Sequence, residues 1–491
     1  MNRGFLFSVC VLPFLVLATL NSAGYRYGAS DQAFYLPAIL KKLDPAIYPR
    51  DSALIGSQAR LTLIDETVAA VARVTGLSLP SLFAALFIAS LALLVWAALS
   101  LGAGLFRTQA AALAFVFALT LRHQITKTGT NTLEGYFHPR QLAFALGALA
   151  IAAYLRRGFG IAPLFLCAGA MVVHPTTALW FLTWIGVAMF VSETRLRPWL
   201  GIAAVAASAI GVWALLAGPL DGRLVRMDDE WRATLSSKDY LFPLTWPLSA
   251  WLVNLAYAPL IAWIYTRRKS TGLLRPRETG LVLGCLSLLL VFATALILHA
   301  FGIALAFQLQ PARIFWMLDF LASAYLIWLI AEDGSTNSRR AATAAGIIIA
   351  LAVARGSYVA YVRFPERAFV QLDVRDDDWG RVMAWARSTG KSTHWLADPF
   401  HAALYGTSVR VAGERDVFVE EIKDAAIGMY ERAVAIRTRD RMAALGDFNS
   451  LTPAHARDLG ARFGVDYLVS PQPLDLPVEF RSGDLRVYRL R

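Results

Sequence analysis

Apolar residues in this 491-residue chain come in long unbroken blocks. The runs at 81–105, 245–265, 279–305, 312–331 and 341–354 are each close to the ~20 residues that carry a helix across a bilayer. Read along the whole chain, the pattern predicts about eleven membrane helices, near 4–21, 80–104, 109–121, 139–155, 160–173, 176–192, 198–217, 246–265, 279–303, 312–331 and 341–361. The first run, FLFSVCVLPFLVLATL, follows Arg3 and precedes small residues, which suits either a cleavable signal peptide or a retained first helix. The retained helix is the reading under which the topology closes.

With Met1 inside, the inner loops are Arg-rich: RRG at 156–158, ETRLRP at 193–198, TRRKSTGLLRPRE at 266–278 and EDGSTNSRR at 332–340. Lys and Arg are about threefold denser there than in the outer loops, the bias expected of cytoplasmic loops. The outer segments are 22–79, 122–138, 174–175, 218–245 and 304–311, and eleven crossings leave 362–491 outside. This divides the chain into a membrane domain, 1–361, with a large first outer loop at 22–79, and a soluble C-terminal α/β domain.

The C-terminal part has a different texture. DVRDDDWGRVMAWARSTG reads as a capped helix, VFVEEIKDAAIGMYERAVAIRTRDRMAAL contains a long one, and TPAHARDLGARFG is a helix opened by Pro453 and closed by Gly464. STHWLADP and VDYLVS read as strands, and VEFRSGDLRVYRL as a hairpin turning at Ser482-Gly483-Asp484. About 130 residues suffice for a domain with its own core.

Composition agrees with the pattern. The chain is 57% hydrophobic and 17% charged, with a mean hydropathy of +0.50, whereas a soluble domain carries about a quarter charged residues. The net charge of +12 reflects membrane-flanking Lys and Arg. No basic stripe interleaved with aromatics is present, which argues against nucleic-acid binding. Cys10, Cys167 and Cys285 all sit in apolar runs, so neither a disulfide framework nor a Cys metal site is expected. The sequence contains no phosphate-binding Walker loop, HExxH, GxSxG or CxxC motif.

The polar residues that could carry chemistry cluster on the outer side, at helix mouths: Asp31, His123, Glu134, His138-Pro139-Arg140, His174-Pro175, Asp228-Asp229-Glu230 and Gln310-Pro311-Ala312-Arg313. Charge at this depth normally faces a protein cavity or a head group. Arg and His neutralise and orient phosphate, and a carboxylate accepts a proton or holds a divalent cation. Plainer roles stand beside these. Asp31 suits the cap of a helix starting at Gln32; His138 and His174 suit ordinary His-Pro helix starts; Arg140 and Arg313 suit snorkelling cations. Asp228-Asp229-Glu230 reads as a solvated loop cluster, and Asp398, His401, Arg410 and Arg415 as structural. Lys41, Lys42 and the neighbouring prolines read as an interfacial helix ending in a sharp turn.

SDQAFYLP and LKKLDPAIYPRD in the first outer loop, the HPR- and HP-type helix starts, and DDWGRVMAWARSTG followed by ADPF and RVAGERDVFV resemble the GT-C superfamily of polytopic membrane glycosyltransferases. The resemblance covers nearly the whole chain and is one of layout. It implies a sugar donor linked to a polyprenyl phosphate and reached at the outer face of a bacterial cytoplasmic membrane. It puts Asp31 in the place of the catalytic acid or base, with His138, Arg140, His174 and Arg313 as candidates to hold the phosphate. It also leaves room for a divalent cation, Mg or Mn. Many members carry two adjacent acids where this chain has Asp31-Gln32. Two other classes compete: a transporter or flippase of lipid-linked substrates, for which Asp319 is the one acid well inside an apolar run, and a non-catalytic scaffold or sensor of the same fold.

Overall fold

The computed structural model describes residues 3–334 and 337–491; the expected cytoplasmic Met1 and part of the 332–340 loop lie outside them. The chain forms two compact units. One comprises the described residues up to Tyr25, Ala85–Arg226 and Asp239–Val370; the other comprises Arg26–Ala84, Met227–Lys238 and Gln371–Arg491. The first outer loop therefore belongs to the same unit as the C-terminal segment.

The longer helices of the first unit are α1 (Arg3–Asn21), α2 (Leu79–Leu105), α3 (Gln109–Ala118), α4 (Pro139–Arg157), α5 (Ile161–Val173), α6 (Pro175–Ser192), α7 (Arg197–Leu216), α8 (Leu248–Ser270), α9 (Glu278–Ala300), α10 (Ile314–Ala331) and α11 (Ser338–Tyr358). They fall where the apolar blocks predict them. Among the described residues, eight helical segments are long and apolar enough to cross a membrane, against about eleven expected. The other three explain the difference. α3 and α5 have only 10 and 13 residues, about 15 and 20 Å of helix against a hydrocarbon core of about 30 Å. α4 is long enough, but its ends carry Arg140-Gln141 and Arg156-Arg157.

Close packing in this unit depends on small residues, as it must where lipid supplies no hydrophobic drive between helices. Gly280 and Gly284 bring α9 against the α6 backbone, where an added Cβ would sit 2.4 Å from the carbonyl oxygens of Ala188 and Trp184 respectively. The Trp184 indole N–H then donates to the Leu281 carbonyl at 2.8 Å. At the ends of α8 and α9, the buried Arg268 donates to both oxygens of Glu278 (2.5 and 3.0 Å) and to the Leu105 carbonyl (3.1 Å), and Tyr325 donates to Glu278 (3.0 Å). α7 buries no residue at all, leaving an apolar cylinder of the kind that faces acyl chains.

The second unit has a five-stranded sheet: β1 (His394–Leu396), β2 (Asp416–Val417), β3 (Tyr467–Ser470), β4 (Val478–Ser482) and β5 (Leu485–Arg489), in the order β2-β1-β3-β5-β4. β1 runs parallel to β2 and β3, and β5 is antiparallel to β3 and β4. Alternation along the strands sorts residues to two cores. Trp395, Val469 and Val487 meet Trp379, Val382 and Met383 of the Asp378–Ser388 helix on one face. Leu396, Leu468 and Tyr488 meet Leu445, Ala456 and Leu459 of the helices on the other. The β4–β5 hairpin turns where the sequence predicts, with Gly483 at φ +54. The long helix expected within 417–445 is Arg432–Leu445; a shorter one, Glu421–Ile427, precedes it, with Gly428 between them lying against Ala435.

The segment from the first outer loop is built into this unit. The Gln32–Leu43 helix buries Tyr35, Leu36 and Ile39, and Ala38, Ile47, Tyr48 and Leu54 form one core with Ile427 and Val434. Its apolar side is thus packed against protein. Asp51 locks the arrangement: it accepts from Arg410 Nε (2.7 Å), from Arg437 and from the Val417 backbone N–H (3.1 Å). Arg410 in turn grips both oxygens of Asp424 (2.6 and 3.1 Å). Burial alone would raise the Asp51 carboxyl, but Arg410 and Arg437 outweigh it and hold it below the ordinary carboxylate range. Glu420, 3.5 Å from Arg410, is pushed the other way, from 4.5 to about 7, because burial outweighs the arginine.

A carboxyl raised in the folded state contributes stability that is complete below its unfolded value and is lost as pH rises through the folded one. Glu420→Gln should therefore melt like the wild type near pH 4.5 and above it once the pH exceeds about 7, the gap opening between those values. Thermal unfolding of the purified chain measures this, and a gap independent of pH would contradict the account.

Candidate functional site

Among the segments of the first unit that start with proline at the first helical position are α4 at Pro139, α6 at Pro175 and the short turn Pro311–Arg313 that leads into α10. Proline suits this position because its missing N–H is one of the donors a helix start leaves unused. Two of these starts are capped by histidine. His138 Nδ1 accepts from the Arg140 backbone N–H at 3.1 Å, and His174 Nδ1 accepts from that of Thr177 at 3.3 Å, with the Thr177 hydroxyl at 3.0 Å. A ring nitrogen that accepts from a backbone N–H carries no proton, so both imidazoles are neutral and hold their hydrogen on Nε2. The two rings lie 6.4 Å apart, with Tyr136 6.2 Å from His138.

Two arginines accompany these caps: Arg313 and Arg140 lie within electrostatic reach of His174. Arg140 is buried and donates to Glu134 at 2.9 Å; Glu134 also takes Asn131 at 3.2 Å and stands 3.8 Å from Arg122. Each helix start adds the positive end of its dipole, about half a charge. Neutral N–H donors, guanidiniums and helix N-termini together make a setting for an anion with several oxygens, a phosphate above all.

The four phosphate candidates named from the sequence, His138, Arg140, His174 and Arg313, thus occur together in one unit. Both histidines are helix caps, as the plainer His-Pro reading expects. Glu134 as the partner of Arg140 is new; it lies six residues upstream in an irregular loop, where spacing carries no orientation. Asp319 is also resolved: it pairs with His123 Nε2 at 2.9 Å. That contact raises the His123 pKa above its ordinary value, with burial opposing.

Asp31 belongs to the second unit. It occupies the position before the Gln32–Leu43 helix but makes no side-chain cap bond; its Oδ1 accepts from Lys423 Nζ at 2.7 Å. An ammonium at that distance does not fit a divalent cation on the same carboxylate. Among the described residues, no three His, Cys, Asp or Glu side chains are grouped to hold a metal ion. Asp228 caps the Asp229–Leu235 helix at 2.8 Å from the Trp231 N–H and pairs with Arg432, which also holds Glu230 at 3.0 Å. His401 uses both ring nitrogens on backbone, at Asp398 (2.7 Å) and Val409 (3.2 Å), and Arg415 donates to the Arg387 and Thr389 carbonyls (2.7 and 2.5 Å). With Arg410 in the Asp51 network, these residues are structural.

Comparison with known protein families finds no family model that matches this chain, and no curated protein matches it.

If His174 is a neutral helix cap, His174→Asn should keep stability within about 0.5 kcal/mol, whereas His174→Ala should lose about 1 kcal/mol, as read from chemical denaturation in detergent. Equal losses in both variants would remove the capping role.

Proposed function

We propose that this chain is a membrane-embedded transferase of the GT-C type, moving a sugar from a polyprenyl-phosphate donor to an acceptor at the outer face of a bacterial cytoplasmic membrane. The observation that carries this reading is the meeting of His138, Arg140, His174 and Arg313 at helix starts. In this reading α3, α4 and α5 complete eleven crossings, the N-terminus is cytoplasmic and the C-terminal segment is extracytoplasmic.

The chemistry asked of the protein is modest. The bond between sugar and phosphate is already activated. As it breaks, negative charge gathers on the phosphate oxygens, where guanidinium and imidazole N–H donors stabilise it. The acceptor hydroxyl loses its proton to a carboxylate. The family resemblance gives that role to Asp31; its pairing with Lys423 favours the second reading, a scaffold or sensor that binds the lipid-linked anion without turnover.

Purified protein assayed with polyprenyl-phosphate sugars separates the two. The transferase reading expects turnover in the wild type and a loss of about a hundredfold or more in Asp31→Asn. Undiminished turnover in the variant would remove Asp31 from the mechanism, and binding of donors without turnover would favour the scaffold.

A further inference from the structure

At the opposite end of α4 from His138, a cavity of about 290 Å³ lies between α2, α4 and α5. Its walls include Trp96 and Ser100 of α2, Leu149 of α4 and Leu166 of α5, and Arg156 and Arg157 of α4 line it as well. Both arginines are exposed, and among the described residues neither has a carboxylate partner. The Glu193 carboxylate on the loop after α6 is already held by Arg277 at 2.5 Å. The Arg156 stem lies along α2, its Cγ 3.6 Å from the place where a side chain on Gly104 would begin. Next to the cavity α5 turns Ile161 and Phe165 outward, 84% and 77% exposed, a surface suited to acyl chains.

We propose that this cavity binds an anionic phospholipid, with its phosphate on Arg156 and Arg157 and an acyl chain against Trp96, Leu149 and Leu166. Charge and shape complementarity support this occupant. Two unpaired guanidiniums stand over an apolar slot whose outer neighbour is an apolar helix face. A soluble phosphate would use only the arginines and leave the slot empty. A neutral lipid would fill the slot and leave the guanidiniums without a counter-charge. Basic pockets between membrane helices commonly hold anionic head groups in this way. The Ser100 hydroxyl lies in the same wall and can donate to a glycerol ester oxygen. The inference needs only that these helices lie in a bilayer; it is independent of the transferase reading and concerns the other end of α4.

A plain structural role for the same arginines is to complement the dipole at the end of α4. That role involves no lipid, so a lipid-binding measurement distinguishes the two. Full-length protein in neutral detergent is titrated with dioleoyl phosphatidylglycerol, dioleoyl phosphatidylcholine or glycerol phosphate, and bound lipid is counted by native mass spectrometry. The expected result is preferential retention of phosphatidylglycerol, weakened about thirtyfold in the double variant Arg156→Gln, Arg157→Gln. Phosphatidylcholine retention should not change, and glycerol phosphate should not compete. Phosphatidylglycerol carrying brominated chains supplies a local readout: it should quench wild-type fluorescence more than that of Trp96→Phe. Equal phosphatidylglycerol retention by wild type and double variant would overturn the proposal. So would displacement of the lipid by glycerol phosphate, or quenching indifferent to Trp96.

Discussion

Hydrocarbon offers no partner to a backbone N–H or C=O, and among the described residues eight helical segments are long and apolar enough to meet that constraint. Apolar stretches must become helices, because only a helix satisfies its own backbone. What remains polar is the first turn of each helix, with donors that need an acceptor. At the starts of α4 and α6 proline removes a donor and histidine accepts from one. The same substitution of cap for solvent leaves imidazole Nε2–H groups and helix dipoles near Arg140 and Arg313. The candidate anion site is in this sense a by-product of ending helices correctly.

The second unit solves a different problem. Its sheet buries apolar residues on both faces, so it is stable in the ordinary way of an α/β layer structure. The segment from the first outer loop is held to it by a shared apolar core and by Asp51, buried among Arg410, Arg437 and backbone donors. A buried charge of this kind adds little net stability when paired and costs several kcal/mol when one partner is removed. It ties the loop at Asp51 to Arg410, which also holds Asp424.

Much of this was legible in the chain and some was not, for physical reasons. The apolar blocks were read at the right places because lipid imposes a long uniform signal. The length of α3 was not, because the apolar run continues through Leu119 and Leu121 while the helix stops at Ala118. The hairpin at Gly483 and the helix closed by Gly464 follow from local turn chemistry and were read correctly. The long helix within 417–445 was visible in the pattern; where it starts was not, since Gly428 before it marks an approach to Ala435. The His-Pro starts were visible as local signatures. Their proximity to Arg313 was not, nor was the pairing of Asp319 with His123 across 196 positions or of Asp51 with Arg410 across 359. Long-range partners leave no mark in spacing. The contact of Asp31 with Lys423 was invisible from the loop alone.

The central claim is that the starts of α4, α6 and α10 form one site for a lipid-linked phosphate. Its most direct test is the dissociation constant of a polyprenyl phosphate for the purified chain, compared between wild type and the double variant Arg140→Gln, Arg313→Gln. The account predicts a loss of about a hundredfold or more, two charge-assisted contacts being worth roughly tenfold or more apiece. An unchanged dissociation constant in a folded double variant would contradict it.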